Sequence, residues 1–220
     1  MKYTNEKKEL IYWARLLNER GFVTARSGNA SLKVDKGILI TSHNCYLGQL
    51  NEGDILLVDL EGNIIEGDKE LTSEKDLHLD IHKKFKDIKA VIHSHSPYTV
   101  AFFHYFKSLD IFSFEAKFYL GDVKVVPQDT PTVTNVEPVL EGLENSSIVV
   151  LGRHGVVSTG KDFKEAFSLI ELLEEQARVN LFIKRIAVSG ERTEGEEKKV
   201  SSKEVKKYKL LSKEHIERLV

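Results

Sequence analysis

The segment at residues 90–95 reads AVIHSH and constrains the structure around it more than any other part of the chain. Its apolar start is typical of a buried strand, and Pro97 favours an end to that strand just after it. Alternate strand residues point to the same face, so His93 and His95 leave one face about 6 to 7 Å apart. Two such imidazoles can bind one metal ion, although taken alone the pair more often means two hydrogen-bonded histidines.

A third histidine follows a second apolar run. The sequence SIVVL at residues 147–151 is typical of a buried strand, and His154 and Gly155 come shortly after it. Three neutral imidazoles that leave one coordination position open are typical of a catalytic zinc site. The single cysteine, Cys45, excludes a thiolate cluster, so His and carboxylate side chains are the available ligands. The metal hypothesis requires that the ends of the two strands meet.

The period of the apolar residues becomes helical after residue 73, with Thr72 or Ser73 as the expected cap. Glu74 lies at the start of this predicted helix, where the helix dipole favours a carboxylate, and taken alone it is as consistent with a structural role as with a functional one. His78 and His82 share one helix face and are a competing metal pair. Because that face also carries apolar side chains, we interpret His78 as a core or supporting histidine and His82 as partly exposed.

Short runs separated by turns predict antiparallel hairpins before residue 66. An amphipathic pattern predicts helices over residues 7–20 and 163–181, and residues 111–126 read as mixed helix and loop ending in a strand. A charged segment begins at Ser189. We therefore predict one domain over residues 1–188, followed by a charged linker and C-terminal tail over residues 189–220.

Composition excludes several classes of partner. Lys and Arg number 32 against 34 Asp and Glu, so the chain lacks the basic excess typical of nucleic-acid or membrane binding. No apolar run approaches the roughly 20 residues of a membrane span, and the N-terminus does not resemble a signal peptide. The expected location is the cytoplasm.

Two polar turns are candidates for anion binding. The sequence SGNAS at residues 27–31 brings small residues and backbone amides to a turn, and Thr72 and Ser73 place hydroxyl groups at a helix N-terminus. Each is also consistent with an ordinary turn or cap.

Taken together, the motifs SGNAS, GILITS, LTSE, VIHSH and RHGVVSTG, in this order over about residues 5–185, resemble the class II aldolase/adducin family. The resemblance implies an α/β fold, a three-layer α/β/α sandwich with a mainly antiparallel central sheet. It also implies a homotetramer arranged as a four-fold ring, with active sites between subunits and a small phosphorylated sugar as substrate.

The resemblance also assigns roles to individual residues. It implies Zn²⁺ as cofactor, with Mn²⁺ or Co²⁺ as alternatives, and Glu74 as the general base. The implied metal ligands are His93, His95 and His154. The implied phosphate-binding residues are Gly28, Asn29, Thr72 and Ser73.

The chain departs from the family pattern at two places. The family usually has Thr-Pro-Ser/Thr-Gly after the second strand, whereas this chain has Thr41-Ser42-His43-Asn44, so Ser42 and His43 become the candidate phosphate contacts. Family members bring a second acid from the region of FSFEAKFYLG, a tyrosine in aldolases and a glutamate in dehydratases. Both Glu115 and Tyr119 are candidates for that acid.

The function implied by the resemblance is a zinc-dependent lyase. It would cleave a ketose 1-phosphate to dihydroxyacetone phosphate and an aldehyde, a retro-aldol reaction through a metal-stabilised enediolate. A sugar-phosphate dehydratase of the methylthioribulose-1-phosphate type is the alternative at the same site. A non-catalytic adducin-like interaction module is a third hypothesis.

Overall fold

The structure, a computed structural model, describes residues 3–189 and has a mixed sheet at its centre. Within these residues eight strands form one sheet in the order β4-β3-β2-β1-β5-β8-β7-β6. All neighbouring strands pair antiparallel except β6 and β7. The strands are β1 (Asn29–Val34), β2 (Gly37–Thr41), β3 (Ile55–Val58), β4 (Ile64–Glu66), β5 (Ala90–Ser94), β6 (Lys124–Val126), β7 (Ile148–Leu151) and β8 (Gly155–Gly160).

Helices cover both faces of this sheet, which confirms the predicted α/β sandwich with a mainly antiparallel sheet. Helices α2 and α5 pack on one face, and α1, α3, α4 and α6 pack on the other. The helices are α1 (Thr4–Glu19), α2 (Lys75–Lys84), α3 (Pro97–Tyr105), α4 (Phe114–Leu120), α5 (Glu137–Leu143) and α6 (Phe163–Ser189). Two short 3₁₀ helices, Leu47–Gln49 and Glu52–Asp54, lie between β2 and β3.

The alternation of side chains along the strands assigns each residue to one layer. In β5, Ala90 and Ile92 pack with α1, α3 and α6, whereas Val91 packs with α2 and α5. His93 therefore leaves the sheet on the α2 side, two residues beyond Val91. The side chains of Asn29 and Ser31 in β1 also point to the α2 side of the sheet. Ala30 and Leu32, which alternate with them, pack in the core on the other side.

The pairing of β5 brings the predicted functional segments to one edge of the sheet. Strand β5 lies between β1 and β8 and runs antiparallel to both, so its C-terminal end lies beside their N-terminal ends. Asn29 pairs with His93, and Ser94 pairs with Val156. The strand ends that carry the histidines therefore meet, as the metal hypothesis requires.

Two expectations about helix α2 were wrong. His82 is fully buried rather than partly exposed, because α2 packs flat on the sheet and the turn that carries His82 faces Ser31 of β1. The N-cap residue is Glu74, not Thr72 or Ser73, and Glu74 makes no side-chain capping hydrogen bond. The Thr72 hydroxyl instead accepts a hydrogen bond from the Glu74 amide at 3.4 Å.

The end of the chain leaves one expectation open. Residues 190–220, which contain almost all of the predicted linker and tail, lie outside the described residues, so the domain boundary at residue 188 stays a prediction. None of the described helices is both long enough and apolar enough to cross a membrane.

A buried carboxylate from α6 stabilises helix α3, which follows strand β5. Glu174 accepts hydrogen bonds from the Tyr98 amide at 2.9 Å and from the Thr99 amide and hydroxyl at 2.8 and 2.7 Å. Negative charge is favourable at a helix N-terminus, and Pro97 at the first position has no N–H to satisfy. Glu174 thus links α6 to the first turn of α3, directly after His95.

We expect Glu174→Ala to lower the free energy of unfolding by about 2 to 3 kcal/mol, because it leaves buried amides without a partner. Urea denaturation at neutral pH measures this change. The neighbouring Glu175 is exposed, and Glu175→Ala should change stability by less than about 0.5 kcal/mol. Equal losses in the two variants would contradict this account of α3.

Candidate metal centre and active site

Three imidazole rings converge at the edge formed by β1, β5 and β8. His93 lies near the end of β5, His95 just beyond it, and His154 in the turn between β7 and β8. The Nε2 atoms of His93 and His95 are 3.0 Å apart, and one ligand atom from each ring lies within 4.8 Å of the others. The ring centroids are 4.7 to 4.9 Å apart. No other metal-binding cluster is found among residues 3–189.

The turn between β7 and β8 allows His154 to approach the other two rings. Arg153 has φ 63°, in the left-handed region that non-glycine residues rarely adopt, and the His154 amide donates to the Leu151 carbonyl at 3.0 Å. Gly155 then lies opposite the end of β5. A Cβ at Gly155 would clash with the Ser94 carbonyl oxygen and would lie 3.1 Å from Cε1 of His93.

We expect Gly155→Ala to weaken the fold and the histidine cluster together, because β8 would have to move away from β5. The expected loss in the free energy of unfolding is about 3 kcal/mol, the upper end for overpacking. Gly152 in the same turn has space for a methyl group, with its nearest neighbours at 3.5 Å or more. Gly152→Ala is therefore the matched control, and thermal denaturation of both metal-free proteins makes the comparison. An unchanged free energy of unfolding in Gly155→Ala would contradict the close approach of β8 to β5.

The protonation states of the rings suit a metal ion. The Nδ1 atom of His93 lies 3.0 Å from the Val156 carbonyl oxygen, which only accepts, so Nδ1 carries the proton and Nε2 has a free lone pair. Burial, with the charges of the neighbouring histidines, lowers the pKa of His95 to about 3. Burial and the His93 charge lower the pKa of His154 to about 4. Three imidazole rings this close together fit a divalent cation, and zinc in particular prefers such nitrogen ligands.

Glu74 is the carboxylate beside this cluster. Its Oε2 lies 3.3 Å from Nε2 of His93 and accepts a hydrogen bond from Nδ2 of Asn29 at 3.2 Å. Its Oε1 lies 4.0 Å from Nε2 of His154 and accepts from the Val133 amide at 3.2 Å. Burial acts to raise the pKa of Glu74, but attraction to the histidines and the hydrogen bonds from Asn29 and Val133 outweigh it, so its pKa lies below the ordinary value. Glu74 is thus an ionised carboxylate that faces the cluster.

A small pocket of about 130 Å³ opens onto the histidines and Glu74. Every residue predicted to bind the substrate phosphate lines it: Gly28, Asn29, Ser42, His43, Thr72 and Ser73. Gly28 has φ 80°, and a Cβ there would lie 2.6 Å from Cγ1 of Val23, so the turn requires glycine. Hydroxyl, amide and imidazole groups thus form one wall of the pocket, and the three histidines form another.

Glu115 and Tyr119 do not line this pocket in the same chain. Both side chains are exposed, on helix α4, and both line a separate groove of about 1020 Å³ beside α6. Tyr98 and Arg178 line the same groove. The segment that carries the two acids does contain the expected helix, but within one chain this helix lies on the opposite face of the sheet from α2.

Two contributors to the site do not appear among the residues predicted from the sequence. Arg26 lines the pocket next to the small-residue turn, and a cationic residue directly before SGNAS would have been a usable signal. The backbone amide of Val133 contacts Glu74, and Pro131 and Thr132 line the pocket. Every residue except proline has a backbone N–H group, so the residue type at position 133 does not indicate this contact.

The chain matches one protein family and several known proteins in sequence. The family model described as "Class II Aldolase and Adducin N-terminal domain" matches residues 8–181. An L-fuculose phosphate aldolase from Methanocaldococcus jannaschii is 35% identical over 184 residues, which covers 82% of this chain and 99% of that protein. A 3-oxo-tetronate 4-phosphate decarboxylase from Haemophilus influenzae is 30% identical over 184 residues, covering 79% of this chain and 86% of that protein.

A solved structure shares the same architecture. The L-fuculose-1-phosphate aldolase from Thermus thermophilus superposes with a TM-score of 0.76 at 26% identity, covering 84% of this chain and 96% of that chain. The family match spans residues 8–181 and so contains all three histidines and Glu74. With this match, this fold and this histidine cluster, the chain belongs to the class II aldolase and adducin family.

Proposed function

We propose that this protein is a metal-dependent aldolase that cleaves a ketose 1-phosphate to dihydroxyacetone phosphate and an aldehyde. The observation that carries the proposal is the convergence of His93, His95 and His154 beside the ionised Glu74, in a pocket with a polar wall. The names of the relatives support a lyase that acts on a phosphorylated sugar.

The three histidines would hold the divalent cation, with zinc as the proposed ion and manganese or cobalt as alternatives. A bound cation supplies Lewis acidity at the carbonyl and neighbouring hydroxyl of the ketose. The residues around it set the orientation of the substrate and exclude water from the reacting carbons.

Glu74 is the proposed proton carrier. When the carbon–carbon bond breaks, its electron pair stays on the three-carbon fragment as an enediolate, and the other fragment leaves as an aldehyde. The hydroxyl group on the carbon that becomes the aldehyde loses its proton in this step. Glu74 is ionised and faces the pocket, so it can take up that proton and deliver it to the carbon of the three-carbon fragment. Asn29 and the Val133 amide hold one carboxylate oxygen each, which fixes the direction of this transfer.

The polar wall is the proposed phosphate site. Gly28, Thr72 and Ser73 line the pocket together with Ser42 and His43. Arg26 adds a positive charge that favours an anionic substrate. His43 stands where the family usually has a small residue, so the position of the sugar phosphate depends on it.

The second acid is proposed to come from a neighbouring subunit. Glu115 and Tyr119 are exposed and lie outside the metal pocket of their own chain, so either one can act only across a contact between copies. This arrangement requires an oligomer, and the homotetramer implied by the family resemblance supplies one. The proposed location of this tetramer is the cytoplasm.

Product analysis separates the proposal from its alternatives. The zinc-loaded protein is incubated with a panel of ketose 1-phosphates, and the products are identified by NMR. We expect dihydroxyacetone phosphate and an aldehyde in equal amounts. A single product that has lost one water would instead favour the dehydratase, which would need Glu115 as its acid. A protein that binds no metal and converts no substrate would favour the adducin-like module.

One relative suggests a further arm of the same experiment. Decarboxylation of an oxo acid phosphate also leaves an electron pair beside a carbonyl, so the same site suits it chemically, and one relative is named as such a decarboxylase. Release of carbon dioxide from an oxo acid phosphate without cleavage of any ketose 1-phosphate would replace the aldolase proposal.

A further inference from the structure

A network of buried polar side chains leads from Glu74 through Asn29, which lines the pocket, to Ser31, His78 and His82, which do not. Nε2 of His82 lies 2.9 Å from the Ser31 hydroxyl, and that hydroxyl lies 2.7 Å from Nδ1 of His78. Nε2 of His78 lies 2.6 Å from Oδ1 of Asn29, and Nδ2 of Asn29 lies 3.2 Å from Oε2 of Glu74. Four hydrogen bonds thus connect helix α2 through β1 back to the start of the same helix.

The donor and acceptor properties of these groups fix which partner donates in each of the four hydrogen bonds. An ionised carboxylate only accepts, so Asn29 presents its Nδ2 to Glu74 and its Oδ1 to His78. The Asn29 oxygen also only accepts, so Nε2 of His78 carries the proton. Nδ1 of His78 is then an acceptor, the Ser31 hydroxyl donates to it, and Nε2 of His82 donates to Ser31. Every donor in the network points toward Glu74.

The polar side chains of this network are fully buried, and burial of polar groups costs free energy. His78 and His82 have no exposed surface, and Ser31 has none. Burial and the neighbouring His82 lower the pKa of His78 to about 3, and burial and the Lys33 charge lower the pKa of His82 to about 4. Both rings are therefore neutral, which is the state that this hydrogen-bonding pattern requires. Apolar side chains of similar size would fill the same space without the cost of burying polar groups.

We propose that His78 is a positioning residue for the active site: it orients the Asn29 amide, and through that amide it holds the Glu74 carboxylate toward the histidine cluster. The expected effect of His78 on turnover rests on the proposed function. The orientation of the Asn29 amide by His78 does not depend on which substrate the protein binds.

The orientation of the Asn29 amide matters because its two ends meet groups of different kinds, the Glu74 carboxylate and the His78 ring. The amide could rotate by 180° and present its oxygen to Glu74, which would place two acceptors against each other. A rotated amide would also place its Nδ2 group against Nε2–H of His78, two donors in contact, so His78 in this tautomer disfavours the rotation. Loss of His78 removes this restraint while Glu74, Asn29 and the metal-binding histidines all remain.

The first arm of the test uses metal-free protein and needs no substrate. The exchange of the Asn29 side-chain amide protons with solvent is followed by ¹H–¹⁵N NMR, with Asn29→Asp used for assignment. We expect His78→Leu to accelerate this exchange at least tenfold. We expect His78→Gln to restore most of the protection, because its amide nitrogen reaches about the position of Nε2. Unchanged exchange in His78→Leu would overturn the proposal.

The second arm measures kinetics on zinc-loaded protein. We expect His78→Leu to lower kcat about 10- to 100-fold with unchanged KM and unchanged zinc content, and His78→Gln to recover most of the loss. In a Glu74→Gln background, His78→Leu should cause little further loss, because its effect passes through Glu74. Equal losses in both backgrounds would show an independent structural role and overturn the proposal.

Two further variants keep the test decisive. Should His78→Leu fail to fold, Ser31→Ala removes only the hydroxyl that donates to Nδ1 of His78, and we expect the same changes at smaller size. His104 is an exposed histidine on α3, and His104→Leu is the matched control that should change neither exchange nor kinetics. A wild type without aldolase turnover would remove the proposed function, whereas the exchange measurement would still decide the role of His78.

Discussion

Replacing His154 by alanine is expected to remove the bound divalent metal and to lower turnover at least about 1000-fold. A bound cation contributes several kcal/mol to the stabilisation of developing charge, and about 4 kcal/mol corresponds to a factor of 1000. His154 is the one proposed ligand that comes from the β7–β8 turn, so its loss leaves only two imidazoles of the cluster, both from the end of β5. Two neutral ligands bind zinc far more weakly than three.

Metal analysis of the purified protein, together with turnover on the preferred ketose 1-phosphate, checks this prediction. His104→Ala removes an exposed histidine outside the cluster and should keep full metal content and activity. The unfolding free energy of metal-free His154→Ala should stay close to that of the wild type, because the ring is not part of a hydrophobic core. Full metal content in His154→Ala would refute the three-histidine centre.

Replacing Glu74 by glutamine is the second change with a large expected effect. Glutamine has the same shape but only one acceptor oxygen, so it can accept from Asn29 or from the Val133 amide and not from both. We expect a small loss of stability, with folding and metal content retained because the three histidines are unchanged. It cannot take up a proton, and the loss of a general base costs about 100-fold or more in turnover. KM should change little because the phosphate wall is intact.

Glu70→Gln provides the control for Glu74→Gln. Glu70 is exposed, precedes the same helix, and contributes only its backbone carbonyl, which accepts from the His43 amide. Its substitution should leave both kcat and KM unchanged. Undiminished turnover in Glu74→Gln would remove Glu74 from the proposed mechanism, whereas loss of metal together with turnover would indicate a ligand role instead.

Much of the site was predictable from local patterns. The strand preference of AVIHSH, and the rule that residues two apart share a face, are enough to place His93 and His95 together. The apolar run before His154 and the glycine after it indicated a second strand end. Burial could not be judged in the same way: His82 lies one helical turn from His78, and only the packing of α2 against Ser31 shows that both rings are buried.

Other parts of the site depend on contacts between distant segments. The hydrogen bond from the Val133 amide to Glu74 joins residues 59 positions apart, and no side-chain type marks it. Glu115 and Tyr119 were predicted from the family resemblance, yet the layer order places their helix across the sheet from the pocket of the same chain. Their role depends on how copies of the chain pack together.

By itself, the sequence determined the strands, the helices and the kinds of ligand, because backbone preference, side-chain periodicity and the single cysteine are local properties. Only the tertiary structure decided that β8 pairs with β5, so that His154 joins His93 and His95. It also decided that Asn29 lies between Glu74 and His78. The strand order depends on how much apolar surface the whole domain buries on the two faces of the sheet. No single segment of the sequence determines that amount.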